Sequence, residues 1–250
     1  MFSSFSFFCF YYIAVDIFLE KIVRFILKKM NYYAIIVAGG SGQRMNSSTP
    51  KQFIELNGQP ILMHTIERFY SAKSSIELIV VLPKIHHHTW ETLCNKHNFN
   101  IPHTVCDGGN SRFQSVKNGL ALCTDDSIIA IHDGVRPLIS SDFILSIYKE
   151  TQSKKALIPV CPVVESIRIV KGDFSESLDR SNYYTVQTPQ CFTSTLLHKA
   201  YHQNEQPFFT DDASVVESLG EKVHLFTGEV DNIKITSPKD LLLAEALLKL

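Results

Sequence analysis

The chain is short of the features that would place it in several large classes. It has no charge excess: Lys and Arg number 24 against 25 Asp and Glu, a net −1 with histidine neutral. A protein that grips nucleic acid through bulk charge is therefore excluded. Glycine (11) and proline (10) are too few for a collagen-like or low-complexity chain. The six cysteines, Cys9, Cys94, Cys106, Cys123, Cys161 and Cys191, include no pair separated by two residues. Zinc-ribbon and dithiol-redox readings fail on that spacing, and the scatter suits reduced thiols of a cytoplasmic protein. What the chain does have is core-forming material, 45% hydrophobic with 17 Phe, which rules out a largely disordered protein.

The opening segment, residues 1–29, differs from the rest. Its longest apolar run, Phe7 to Val15, is closed by Ser6 and Asp16 and falls far short of the roughly 20 residues that cross a bilayer. The basic start and small-residue cleavage site of a secretory signal are missing; Lys21, Arg24, Lys28 and Lys29 follow the apolar run instead. Three readings stand: a membrane-surface helix, an atypical anchor, or a start assigned too far upstream, with the working chain beginning at Met30. The third also explains why Met30 falls immediately before the first clean strand. No stable membrane insertion is expected, and residues 30–250 are read as the folded domain.

Within that domain, apolar runs of strand length alternate with amphipathic stretches of helix length. Strands are predicted at 33–38, 77–82, 103–106, 127–132 and 156–160, and helices near 60–71, 86–97, 111–123 and 141–152. Strands apolar on both faces, each followed by a helix, specify an α/β fold with a mostly parallel sheet covered on two sides. Its carboxyl edge is where ligands bind. After residue 160, short strands near 166–170 and 183–187 flank the polar stretch KGDFSESLDRSN, which suggests a β arm over about 161–187. Helices follow at 194–203 and 211–219, with a strand at 223–227. The last helix is marked by Ser237, Pro238 and Asp240 ahead of LLLAEALLKL, whose leucines are expected to pack on the sheet.

Chemistry points to the exit of the first strand, AIIVAGGSGQRMNSSTPKQF. Gly39, Gly40 and Gly42 let the backbone approach a ligand, and amides in such a turn cradle phosphate oxygens. Arg44 and Lys51 add two cations, the combination a triphosphate needs. The loop is not a P-loop, and Met45 stands where the dinucleotide fingerprint needs its third glycine, which disfavours a hydride-transfer enzyme. His86-His87-His88 is read as a solvated helix start, because neighbouring side chains on a helix diverge and cannot share one metal. Trp90 is read as core or helix flank.

The strand with AGGSGQRM and PKQF resembles the nucleotidyltransferases of glycosyltransferase-A-like fold. Within them it is similar to the 2-C-methyl-D-erythritol 4-phosphate cytidylyltransferase family of the non-mevalonate isoprenoid pathway. The likeness recurs at DGGNSRFQSV (107–116), HDGVRP (132–137), DRSNYYTVQTPQCF (179–192), FTDDAS (209–214) and DNIKIT (231–236). It implies a three-layer α/β/α Rossmann-like fold with a protruding β arm, and a homodimer whose arms interlock and share active-site residues. By the same resemblance Ala38, Gly39 and Gly40 contact the nucleotide, while Arg44, Lys51 and Lys234 serve the phosphates as catalytic cations. Gly109, Asn110 and Ser115 form the cytosine wall, with Asp133 and Gly134 near ribose and metal. Arg136, Ser166, Arg180, Thr188 and Thr210 bind the second substrate, Arg136 and Ser166 across the dimer. Thr210, with Asp211, has an equally good local reading as a helix cap. No metal is expected to be held firmly by protein; Mg²⁺ rides mainly on the triphosphate, with Asp133 nearby.

Three departures from the family pattern stand out. Asn110 replaces a frequent aspartate but keeps an acceptor and a donor. Gly134 replaces a small alanine. Glu165-Ser166 replaces Asp-Thr in the arm, keeping the hydroxyl. The implied reaction transfers CMP from CTP to methylerythritol 4-phosphate, with CTP and a polyol phosphate as small-molecule partners. Alternatives are a cytidylyltransferase for ribitol 5-phosphate or another polyol phosphate, and a catalytically inactive sugar-nucleotide sensor.

Overall fold

A computed structural model describes residues 30–40 and 49–249. Gly42 and Arg44 lie outside the described residues, as does the whole 1–29 segment. Strand β1 (Asn31–Val37) leads into a small antiparallel pair, β2 (Glu55–Leu56) and β3 (Gln59–Pro60), which stands apart from the main sheet. In the main sheet β1 pairs in parallel with β4 (Ile76–Leu82) on one side and β6 (Ser127–Asp133) on the other. Every residue of β6 is buried, as expected of a strand covered on both faces. Period-two alternation divides their side chains between two cores. Ala34, Ile36, Leu78, Val80, Leu82, Ile128 and Ala130 enter one core, whereas Tyr33, Ile35, Ile79, Val81, Ile129 and Ile131 enter the other.

Each core is closed by helices. Leu62, Met63, Ile66 and Phe69 of α1 (Ile61–Ala72) meet Phe143, Ile144 and Ile147 of α4 (Ser141–Lys154) on the first face. Trp90, from α2 (His87–Lys96), is buried in that core. On the second face α3 (Arg112–Leu120), α5 (Ser194–Tyr201) and α6 (Asp212–Glu217) contribute Phe113, Val116, Leu197, Tyr201 and Val216. The result is the expected three-layer α/β/α arrangement around a mostly parallel sheet.

The remaining strands of that sheet are β5 (Thr104–Asp107), β7 (Ala156–Pro162), β10 (Tyr184–Val186), β11 (Gln190–Thr193) and β12 (His224–Thr227). The order is β10-β7-β11-β6-β1-β4-β5, with β12 also on β7. Within this sheet one strand has no counterpart in the sequence reading: β11 runs antiparallel between β6 and β7. The arm also differs in detail. The polar stretch folds into a hairpin of β8 (Arg168–Lys171) and β9 (Phe174–Ser177), turned at Gly172, whose φ of +61° favours glycine.

The carboxy-terminal helix α7 (Pro238–Leu247) starts as expected, with a Ser237–Asp240 capping box and Pro238 in the first turn. Its leucines do not pack on the sheet. Ala244, with the half-buried Leu241 and Leu248, packs on Leu56, Ile61, Val135 and Ile235, leaving Leu242 and Leu243 exposed. The physical reason is that LLLAEALL is apolar around most of the helix, so its periodicity does not select one face.

Candidate active site

The carboxyl ends of β1, β4 and β6 reach one edge, where backbone hydrogen bonds stitch their exits together. Ala38 N donates to Val81 O (2.9 Å), Gly108 N to Leu82 O (2.8 Å) and Gly134 N to Val37 O (2.9 Å). These exits frame a cleft of about 270 Å³ that collects Ala38, Gly39, Gly40, Lys51, Gly109, Asn110, Ser115, Asp133 and Lys234. A larger cleft of about 390 Å³ lies at the opposite, amino edge, beside Tyr70, Glu77 and His103. Among the described residues no lysine or arginine lines it, so it is the smaller cleft that suits a polyanion.

Local sequence explains the wall residues. A Cβ on Gly40 would lie 3.0 Å from Lys51 Cε, so the bare backbone there makes room for the lysine. Gly109 is more tightly constrained, since a Cβ would meet Gln114 Cγ at 2.2 Å. Its N–H donates to Ser115 Oγ (3.0 Å), which in turn donates to Ser111 O (2.8 Å). Ser111 caps α3 by accepting from Gln114 N. The GGNS string is thus both a helix cap and part of the cleft wall.

Asp133 is the electrostatic centre. Its Oδ2 accepts from Arg136 Nε (2.9 Å) and lies 3.1 Å from Lys234 Nζ. Burial acts to raise its pKa, but Lys234, Arg136 and Arg112 outweigh burial and hold the carboxyl well below the usual carboxylate range. Beneath it, Asp133 N donates to Thr188 Oγ1 (3.0 Å), which lies 3.0 Å from His132 Nδ1. His132 Nε2 is 3.2 Å from the Arg136 carbonyl. A carbonyl only accepts, so Nε2 carries the proton and Nδ1 accepts from Thr188. Burial pushes the His132 pKa down to about 4, so the ring stays neutral at neutral pH.

The remaining sequence-derived residues fall elsewhere in the single chain. Gly134 lies just behind the cleft, where an alanine Cβ would come within 2.9 Å of Ala38 Cβ. Arg136 is buried, with Nε on Asp133 and Nη1 on Asn232 O (2.9 Å). Thr188 is also buried and works beneath Asp133. Ser166 and Arg180 sit exposed on the arm, Arg180 donating to Val164 O. Thr210 is exposed, and the cap of α6 is Asp211 rather than Thr210. The histidine run enters no metal cluster: His87 pairs with Asp107 (3.4 Å), and no group of three or more ligands is assembled among the described residues.

Sequence reasoning missed Arg112, which lines the cleft. It donates through Nη1 and Nη2 to the two carboxylate oxygens of Asp212 at 2.9 and 2.6 Å. Asp212 is fully buried and also accepts from Tyr201 Oη (2.6 Å). The signal lay in the first helical position after the GGNS cap and in the second aspartate of FTDDAS.

A three-layer sheet that brings glycine backbone, two lysines and an anchored carboxylate to its carboxyl edge has the makings of a nucleotidyltransferase. Comparison with known proteins narrows this. The family model for 2-C-methyl-D-erythritol 4-phosphate cytidylyltransferase matches residues 32–250, and the chain belongs to that family. A Bacteroides fragilis protein of that name is 49% identical over 86% of this chain and 98% of its own length. A Bacteroides thetaiotaomicron relative is 48% identical over 88% of this chain and 100% of its own. The crystal structure of the Thermus thermophilus enzyme superposes with a TM-score of 0.72 at 29% identity, covering 88% of this chain and 100% of that one. One from Anaerococcus prevotii gives 0.75 at 29%, over 88% and 97%.

Proposed function

We propose that the protein transfers CMP from CTP to 2-C-methyl-D-erythritol 4-phosphate, giving 4-diphosphocytidyl-2-C-methyl-D-erythritol and pyrophosphate in non-mevalonate isoprenoid synthesis. The observation that carries this reading is the meeting of Gly39, Gly40, Lys51, Asp133 and Lys234 in one cleft at the carboxyl edge of the sheet. A phosphate oxygen of the second substrate attacks the α-phosphorus of CTP. The new P–O bond forms as the bond to the β-phosphate breaks, and pyrophosphate leaves with the electron pair. The attacker is already ionised near pH 7, so no general base is required. Catalysis is positioning plus charge compensation. Lys51 and Lys234 supply fixed positive charge, joined in this reading by Arg44.

Mg²⁺ belongs to the same reading. Among the described residues the cleft offers one acid, Asp133, and both of its cationic contacts fall on Oδ2. That donor set suits an ion carried chiefly by the triphosphate with Asp133 beside it. When bound, the ion would neutralise charge on the triphosphate.

The arm supports a homodimer. Val164, Val170 and Phe174 are 74%, 74% and 82% exposed, apolar side chains that a second copy would cover. Ser166, Arg180 and the cross-subunit role of Arg136 are assigned to the second substrate within that dimer, and Thr188 and Thr210 to the same subsite. No helix among the described residues is long and apolar enough to cross a membrane, and we take the enzyme to work in the cytoplasm. Residues 30–250 are taken as the catalytic domain.

The test is pyrophosphate release by the full chain and by a chain starting at Met30, with CTP and Mg²⁺. Methylerythritol 4-phosphate and ribitol 5-phosphate are offered in parallel. Release with the first alone is expected. Release with ribitol 5-phosphate alone would replace the proposed substrate, and no release with either would favour a nucleotide-binding sensor.

A further inference from the structure

Buried polar side chains almost always find hydrogen-bond partners. Gln52 does not. The helical turn Lys51–Phe53 follows Pro50 and closes through Phe53 N to Pro50 O (2.8 Å). Phe53 anchors it from behind, buried against Trp90 with ring centroids 6.1 Å apart and edge-on to His86. The pose of the turn is therefore set by apolar packing, and its other two side chains, Lys51 and Gln52, both line the cleft. Gln52 is 1% exposed, and among the described residues neither Nε2 nor Oε1 has a partner.

An unpaired buried donor and acceptor are a standing cost to the unliganded protein, one that an apolar side chain of equal length would avoid. The pattern of what is missing specifies the partner. A phosphate oxygen accepts only, so it would satisfy Nε2 and leave Oε1 unpaired. A hydroxyl both accepts and donates, and one hydroxyl can answer both atoms of a carboxamide. We propose that Gln52 is a specificity-determining residue whose carboxamide pairs with a sugar or polyol hydroxyl of the bound substrate. This rests on the cytidylyltransferase reading and extends it to a residue with no role so far.

Two sources carry such a hydroxyl, the ribose of CTP and the polyol of the second substrate, and the experiment separates them. Full-length wild type and Gln52→Met are compared in three measurements: thermal unfolding without ligand, CTP and 2′- and 3′-deoxy-CTP affinity by calorimetry, and KM for methylerythritol 4-phosphate. Gln52→Met is expected to unfold at the same temperature as wild type or higher, because two unpaired atoms are removed. If ribose is the partner, CTP affinity falls about tenfold, and wild type, unlike the variant, discriminates against the deoxynucleotide lacking that hydroxyl. If the polyol is the partner, CTP affinity holds and KM for the polyol phosphate rises about tenfold. The proposal is overturned if the variant matches wild type in all affinities, or if it unfolds earlier with affinities intact. The wild-type deoxynucleotide comparison is independent of how the variant folds. A wild type that releases no pyrophosphate would overturn the cytidylyltransferase reading instead.

Discussion

Breaking the Arg112–Asp212 pair is expected to damage both the fold and the proposed nucleotide site. The pair joins the start of α3, next to the GGNS wall, to the start of α6, two residues after Thr210. Asp212 also accepts from Tyr201, and the neighbouring Asp211 and Ala213 are held by Gln190 Nε2 (2.8 Å) and Oε1 (2.9 Å). Removing one member of a buried pair costs about 3–5 kcal/mol. The Arg112 side chain is 34% exposed at the cleft, so water recovers part of this, and about 3 kcal/mol is the working figure for Asp212→Asn. For a chain of this size that corresponds to a Tm drop of roughly 6–12 °C. Differential scanning calorimetry of the full chain measures it, and CTP titration reports the loosened wall. Arg112→Lys keeps the charge but not the two-pronged geometry, so it is expected to fall well short of wild type. An Asp212→Asn chain that melts within about 2 °C of wild type and binds CTP equally well would refute the reasoning.

Three further outcomes are expected. Lys51→Ala and Lys234→Ala should each lower kcat about 10²–10³-fold, by analogy with losing an oxyanion-hole donor; near-normal pyrophosphate release by both would contradict their role. His132 has a folded pKa of about 4 against about 6.5 unfolded, so between those values the unfolded chain binds the extra proton and stability falls as pH drops. The loss approaches about 3 kcal/mol by pH 4, and urea unfolding across this window should show a slope that His132→Gln reduces. Gly109→Ala places a methyl 2.2 Å from Gln114 Cγ and 2.4 Å from its Cβ and should weaken CTP binding; Gln114→Gly added to it removes both atoms and should restore part of the affinity, and no restoration would mean that the backbone, not this clash, is at fault.

The strands that frame the cleft were legible because β1, β4 and β6 are apolar on both faces, a pattern that needs no tertiary knowledge to see. β11 was not, because Gln190, its first residue, is buried for its hydrogen bonds to Asp211 and Ala213 rather than for hydrophobicity. β9 was hidden for the opposite reason: all four of its residues are exposed, so no inward face imposes alternation. The last helix had readable caps but an unreadable face.

The site divides along the same line. Lys51, Asp133 and Lys234 were legible by type and motif. The residues that hold them are set by contacts between segments far apart in sequence. Arg112 and Asp212 are 100 residues apart, and a pair at that distance leaves no periodic trace. Arg136 makes the same point from within a recognised motif. Its Nε is on Asp133, and its Nη1 reaches 96 residues along the chain to Asn232 O. Asn232 Nδ2 is tied to Thr188 O (2.9 Å), and Thr188 Oγ1 accepts from Asp133 N. The acid that a motif search finds in one step is therefore oriented by a closed ring of side chains and carbonyls that only the folded chain assembles.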